Sequence, residues 1–131
     1  MISHSHPDHF KSLEVIRDRS PQARVVSTAN VIADIKADGP WMFSMPQNRL
    51  GPQGQRKLVI PEVLAEPLLS VDDIQFEVAE LGEGEAKQIA APHIPEIKAG
   101  LAADLVYSDK SRRYLRVCST SSQPAAVPWP G

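Results

Sequence analysis

The stretch "ISHSHPDHF", residues 2–10, contains three of the chain's four histidines and an aspartate between them. In an extended segment, residues i and i+2 project to the same face, so His4 and His6 can present two imidazoles to one cation. Asp8 and His9 follow where a helix begins, within reach of a second cation nearby. Neutral imidazoles and a carboxylate suit Zn, Mn or Fe, and no thiolate stands nearby as in a structural cysteine-type zinc site. The stretch therefore predicts a metal site.

Such a site would have a clear chemical use. Two metals roughly 3.5–4 Å apart can activate a bridging water and stabilise a developing oxyanion, which is why a hydrolase needs these residue types at this spacing. The other interpretation is a solvated, histidine-rich end without fixed structure, as in the remnant of a tag. A tag is a run of histidines without aspartate, and it does not lead directly into an amphipathic helix, so the metal interpretation is preferred.

The composition limits the class of protein and of partner. The 131 residues fit one small domain, and 42% of them are hydrophobic. A formal net charge of -2 argues against nucleic acid or a membrane surface as a partner. No apolar run approaches the roughly 20 residues that span a bilayer, and no signal-peptide pattern begins the sequence. The single cysteine, Cys118, fits a reducing compartment. We therefore expect a cytoplasmic protein that acts on a small molecule.

The pattern after the motif alternates between helix and strand. It predicts a helix from Phe10 that ends at Ser20-Pro21, a strand over 23–28 and a helix over 29–37. Ser27 or Thr28 caps this second helix, and Asp38-Gly39-Pro40 ends it. A Pro- and Gly-rich stretch over 40–57 is either a lid or a plain surface loop. Further strands are predicted over 57–61, 74–81, 87–95 and 100–108, so the class is α/β or α+β with a sheet core.

The segment H-S-H-P-D-H, residues 4–9, resembles the HxHxDH motif of the metallo-β-lactamase-fold hydrolases, in which the motif likewise precedes a helix. The resemblance implies an α/β chain with a metallo-β-lactamase-like αββα sandwich and a one- or two-metal site at the sheet edge. It also implies a hydrolase in which a metal-bound hydroxide attacks an ester, lactone, amide or phosphoester. Zinc is the expected cofactor, as one or two ions, with manganese or iron as alternatives.

Later positions extend the resemblance. Asp104 in "LAADLVY" matches the aspartate that bridges the metals in that family, with Ala103 where glycine is usual. The third histidine of the family falls on Glu85, whose carboxylate can also ligate zinc, and Glu83 is its neighbour if the alignment slips. The family's last histidine has no counterpart, and His93 is interpreted as a surface or packed residue. The implied ligands are His4, His6 and Glu85 for the first metal, Asp8 (also the catalytic residue) and His9 for the second, and Asp104 as the bridge.

The resemblance covers residues 2–108 and lacks the strands that precede the motif and the elements that follow the second metal site in the family. We therefore expect a truncated, incomplete sandwich over 1–108 and a divergent, disordered tail over 109–131. An exposed sheet edge in such a fragment favours self-association. Two functions stay open: the metal-dependent hydrolase, and a catalytically inactive fragment or metal-binding module of the same fold.

Overall fold

The structure, a computed structural model, describes residues 1–44, 57–82 and 84–105. Most of the predicted lid, Glu83 and the predicted tail at 109–131 lie outside this part of the chain. The described residues form a mixed α/β arrangement with two small sheets and three α-helices. The α/β class predicted from the sequence is therefore confirmed at this level.

The helix after the motif is divided in two, with α1 over Pro7–Phe10 and α2 over Leu13–Arg19. Proline suits the first turn of a helix because the missing N–H has no partner within the helix there. Phe10 and Leu13 are buried, whereas Ile16 is 43% exposed, so the predicted apolar stripe is correct only at its start. The break after Phe10 lets the chain bury both residues without continuing the stripe.

Helix α3 covers Ala29–Ser44, longer than predicted. Of the two proposed caps, Thr28 is in place, since its Oγ1 accepts from the N–H of Val31 at 3.5 Å. The predicted end at Asp38-Gly39-Pro40 is wrong, because tertiary contacts hold the last turn. Lys11 donates from Nζ to the carbonyl of Met42 at 3.0 Å, and it lies 5.4 Å from the ring centre of Phe43. A lysine that pairs with the last carbonyls stabilises a helix C-terminus, which here outweighs the cost of an internal proline.

The strands form two sheets. In the first, β1 (Val26–Ser27) pairs in parallel with β2 (Glu62–Val63). The second is antiparallel in the order β3-β4-β5-β6, with these bounds: β3 Leu68–Val71, β4 Ile74–Leu81, β5 Ile89–Ile94 and β6 Ala99–Gly100. The predicted strand over 74–81 is confirmed at both ends, and the one over 87–95 shortens by a few residues.

Two predicted strands are wrong. The run at 57–61 is irregular, and pairing begins at Glu62, because the N–H of that residue donates to the carbonyl of Val25. The predicted strand over 100–108 is limited to β6 and is followed by a 3-10 helix over Ala103–Leu105, while 106–108 lie outside the described residues. The backbone of Ala103 has φ of 45°, which interrupts an extended chain.

Strand β3 was not predicted. It pairs with β4 through a two-residue hairpin turn in which Asp72 and Asp73 have φ of 48° and 65°. Two consecutive positive φ values define the type I′ turn, whose twist matches that of the flanking strands. Glycine usually marks this turn, so the Asp-Asp pair is a weak sequence signal. The run Leu68–Val71 also lacks the alternation of apolar and polar residues that would identify the strand from sequence.

The core lies where the inner face of α3, the start of the chain and the sheets meet. Its buried members are Ile2, Phe10, Leu13, Val31, Ile35, Val59, Val78 and Ala90. Along β4 only Val78 is fully inward, while Phe76 is half-buried and Ile74 is 43% exposed. Leu68 and Val71 of the outer strand β3 are each 50% exposed, and self-association through this edge stays a prediction.

No α-helix in the described ranges has the length and apolar character needed to cross a membrane.

Ala103 generates a stability prediction. A left-handed backbone costs an alanine about 1 kcal/mol or more that glycine does not pay, partly offset by the greater freedom of glycine in the unfolded chain. We expect Ala103→Gly to raise the free energy of unfolding by about 0.5–1 kcal/mol, measured as a higher urea midpoint. Ala102→Gly is the matched control and should lower the midpoint, because Ala102 has no positive φ. Equal destabilisation by both changes would contradict the strain at Ala103.

Candidate metal centre

The start of the chain lies between the two sheets. The N–H of Ile2 donates to the carbonyl of Val26 on β1 at 2.9 Å, and the N–H of Ala90 on β5 donates to the carbonyl of Ser3 at 2.7 Å. The buried hydroxyl of Ser27 donates to the carbonyl of Ile2 at 2.7 Å. These bonds fix residues 2 and 3, and the next residue, His4, is completely buried (0% exposed). The chain then bends at Ser5, so the extended conformation predicted between His4 and His6 is not present.

The three motif histidines lie together. The ring centres of His4 and His6 are 4.7 Å apart and the rings meet edge to face at 71°. The ring of His9, carried on α1, lies 4.0 Å from that of His4. The two rings therefore meet across the bend at Ser5, and the single turn of α1 returns His9 to the same place.

Asp104 closes the cluster from a distant part of the sequence. Its Oδ2 lies 2.8 Å from Nε2 of His9 and 3.4 Å from Nε2 of His4. The resemblance placed this aspartate at the end of a strand, whereas the structure places it in the 3-10 helix Ala103–Leu105. The turn at Ala103 nevertheless directs the carboxylate at the histidines.

Glu85 approaches from the turn before β5. Its Oε1 lies 3.7 Å from Nδ1 of His6, and its Oε2 is buried without a hydrogen-bond partner among the described residues. The resemblance implies a histidine at this position, where this sequence has Glu85 instead, and the structure has Glu85 beside one of the motif histidines.

Asp8 stands apart from this group. Its side chain is 80% exposed, and its Oδ2 lies 3.8 Å from Nε2 of His9. The structure therefore places Asp8 at the solvent-facing rim of the cluster.

His93 is half-buried on β5, with Nδ1 3.8 Å from Oε2 of Glu77.

Within the described part of the chain, one group of side chains has ligand atoms close enough to share a metal ion. It consists of His4, His6 and Asp104, whose ligand atoms all lie within 4.8 Å of one another. Two members of this group are the pair that the resemblance assigns to the first metal, and the third is the predicted bridge. Glu85, Asp8 and His9 surround the group as neighbours.

The electrostatics of His4 suit a metal ligand. Burial lowers the pKa of His4 from 6.5 to about 4, with further lowering by the positive charge that His9 and His6 can carry and partial compensation by Asp104 and Asp8. The ring is therefore neutral at pH 7. Its Nε2 faces Oδ2 of Asp104 at 3.4 Å, yet it makes no hydrogen bond to any described residue.

The unpartnered Nε2 of His4 shows whether the donor atoms of the cluster are suited to a metal ion. A buried polar atom without a partner costs about 1–3 kcal/mol, and here Nε2 of His4 and Oε2 of Glu85 both lie in the same cluster. A divalent cation would supply the missing partner for such atoms, and the nitrogen and carboxylate donors are those that zinc accepts. The residues present therefore fit the metal that the motif predicts.

One residue of the site was missed by the sequence reasoning. The hydroxyl of Ser3 lies 3.0 Å from Nδ1 of His4 and 3.4 Å from Nδ1 of His9. The signal that could have found it is its position directly before the first motif histidine, where a short hydroxyl side chain can reach both rings.

Comparison of the chain with models of protein families, with curated proteins and with solved structures gave no match.

The lowered pKa of His4 predicts a pH dependence of stability in the metal-free chain. The unfolded chain takes up the proton near pH 6.5 and the folded chain only near pH 4, so unfolding is favoured as the pH falls through this window. The difference corresponds to about 3 kcal/mol, at about 1.4 kcal/mol per pH unit. We expect the free energy of unfolding to fall more steeply between pH 6.5 and 4 than in His4→Gln, measured by urea denaturation with a chelator present. Parallel pH profiles would contradict this.

Proposed function

We propose that the chain is a metal-dependent hydrolase of the metallo-β-lactamase type, with His4, His6 and Asp104 holding a divalent cation, zinc by preference. The observation that carries the proposal is the buried, neutral His4, whose Nε2 has no hydrogen-bond partner among the described residues and faces the carboxylate of Asp104. The HxHxDH motif and the α/β arrangement of two sheets support the family assignment. Manganese and iron accept the same donors.

The charges around the group fit a divalent cation. Neutral imidazoles add no charge, and the carboxylates of Asp104 and Glu85 together can balance two positive charges. When bound, a zinc ion lowers the pKa of a water molecule and polarises a carbonyl or phosphoryl oxygen, which suits hydrolysis of an ester, lactone, amide or phosphoester. The near-neutral chain and its single cysteine favour a small substrate in the cytoplasm.

The surrounding residues would orient the ligands and move protons. His9 holds Asp104 through the 2.8 Å contact between Nε2 and Oδ2. Glu85 lies beside Nδ1 of His6 and can fix that ring. Asp8 is exposed at the rim, so its carboxylate is the group best able to pass a proton to solvent during the reaction.

A second function is favoured by the position of the donors proposed for a second metal. Asp8 and His9 do not belong to the group of described side chains whose ligand atoms lie close enough to share an ion, and the side chain of Asp8 is 80% exposed. A chain that binds one metal through His4, His6 and Asp104 without turnover would be an inactive metal-binding module of the same fold.

Metal content tests the site itself. We expect the purified chain to retain about one equivalent of a first-row divalent metal after dialysis, because three donors lie within 4.8 Å of one another and His4 among them is fully buried. His4→Ala combined with His6→Ala should lower the content at least about tenfold in elemental analysis. His93→Ala is the matched control and should retain the metal, since His93 contacts Glu77 instead. A metal content of less than about a tenth of an equivalent in the unaltered chain would contradict the proposal.

Turnover distinguishes the two functions. We expect slow hydrolysis of at least one member of a panel of ester, lactone, β-lactam and phosphodiester substrates when zinc or manganese is added. Asp104→Asn should reduce the rate by about a hundredfold, because it removes a charged ligand. Asp18→Asn, on the exposed surface of α2, serves as the control and should leave the rate unchanged. Full metal binding with no turnover across the panel would favour the inactive module.

A further inference from the structure

Ser3 is held between two rings of the cluster. Its carbonyl accepts the N–H of Ala90 at 2.7 Å, so its backbone is fixed to β5. Its Oγ then lies 3.0 Å from Nδ1 of His4 and 3.4 Å from Nδ1 of His9. A hydroxyl has one proton to donate and can accept from another donor, so it can serve both rings only in opposite senses.

The other nitrogen of His4 decides the direction. Nε2 of His4 is buried and has no hydrogen-bond partner among the described residues, although Oδ2 of Asp104 lies 3.4 Å away. A buried N–H without an acceptor is rare in proteins, so a neutral His4 carries its proton on Nδ1, where the hydroxyl of Ser3 accepts it.

Because Ser3 accepts from His4, its own proton is available to Nδ1 of His9 at 3.4 Å. Nε2 of His4 is then a lone pair that faces the cluster. Without the hydroxyl, His4 could instead place its proton on Nε2 and direct it at the carboxylate 3.4 Å away, which would occupy the nitrogen needed for the metal.

We propose that Ser3 is a positioning residue that accepts the proton of Nδ1 of His4 and fixes the His4 tautomer whose Nε2 is free to bind the metal. The inference rests on the proposed function for its use, but the tautomer itself is a property of the metal-free chain. Fixing a ligand imidazole through its other nitrogen commonly strengthens metal binding.

The test is long-range proton–nitrogen NMR of the ¹⁵N-labelled, metal-free chain at about pH 8, where ordinary imidazoles are neutral. The result expected is a protonated Nδ1 and a bare Nε2 on His4. Ser3→Ala should shift the proton of His4 wholly or partly to Nε2, and Ser3→Thr, which keeps the hydroxyl, should restore the original tautomer. Ser27→Ala is the matched control, since it removes a buried hydroxyl that bonds the same segment at Ile2 but leaves the rings unchanged.

Zinc affinity, measured by chelator competition, gives the second readout. Ser3→Ala should weaken binding about tenfold, and Ser3→Thr should recover it. A proton on Nε2 of His4 in the unaltered chain, or an unchanged tautomer in Ser3→Ala, overturns the proposal whether or not zinc binds. A tautomer that shifts as expected in a chain that binds no zinc supports the role of Ser3 and refutes the proposed metal function instead.

Discussion

The hydrogen bonds that fix residues 2 and 3 between β1 and β5 are the constraint on which the candidate site depends. Ile2 bonds to Val26 on one side, and Ser3 bonds to Ala90 on the other, so this short segment connects the two sheets. Because these bonds fix residues 2 and 3, His4 enters the interior, and the chain bends at the buried Ser5 before His6. Helix α1 begins at Pro7, directly after His6, and its single turn places the ring of His9 beside the ring of His4.

Gathering these titratable groups around one buried histidine has a cost that their mutual contacts only partly offset. The contacts of His9 with Asp104 and of Glu85 with His6 compensate some of the desolvation. His4 instead stays neutral, as its lowered pKa shows, and keeps one nitrogen without a hydrogen-bond partner among the described residues. Sites that bind ligands often retain such unfavourable features, since a group optimised only for folding would be fully paired.

Local pattern predicted the elements whose stability is local or strongly periodic. Strand β4 alternates along its length and was predicted to the residue, and Thr28 caps α3 as its side chain allows. Predictions that depended on distant partners were wrong. Gly39-Pro40 does not end α3, because Lys11 bonds its last turn from another helix. The apolar run at 57–61 is not a strand, because pairing with β1 begins only at Glu62.

The sequence by itself determined which chemistry is available. His4, His6, Asp8 and His9 are so close together along the chain that covalent geometry keeps their side chains in one region. Only the tertiary structure decided which of these groups meet. It directs Asp8 to solvent and brings Asp104 in from almost a hundred residues away through the left-handed turn at Ala103. It also places the hydroxyl of Ser3 between two rings. The positions of Asp8, Asp104 and Ser3 depend on how the two sheets fix the segments that connect their strands. A local sequence pattern does not encode distances between parts of the chain that are far apart in sequence.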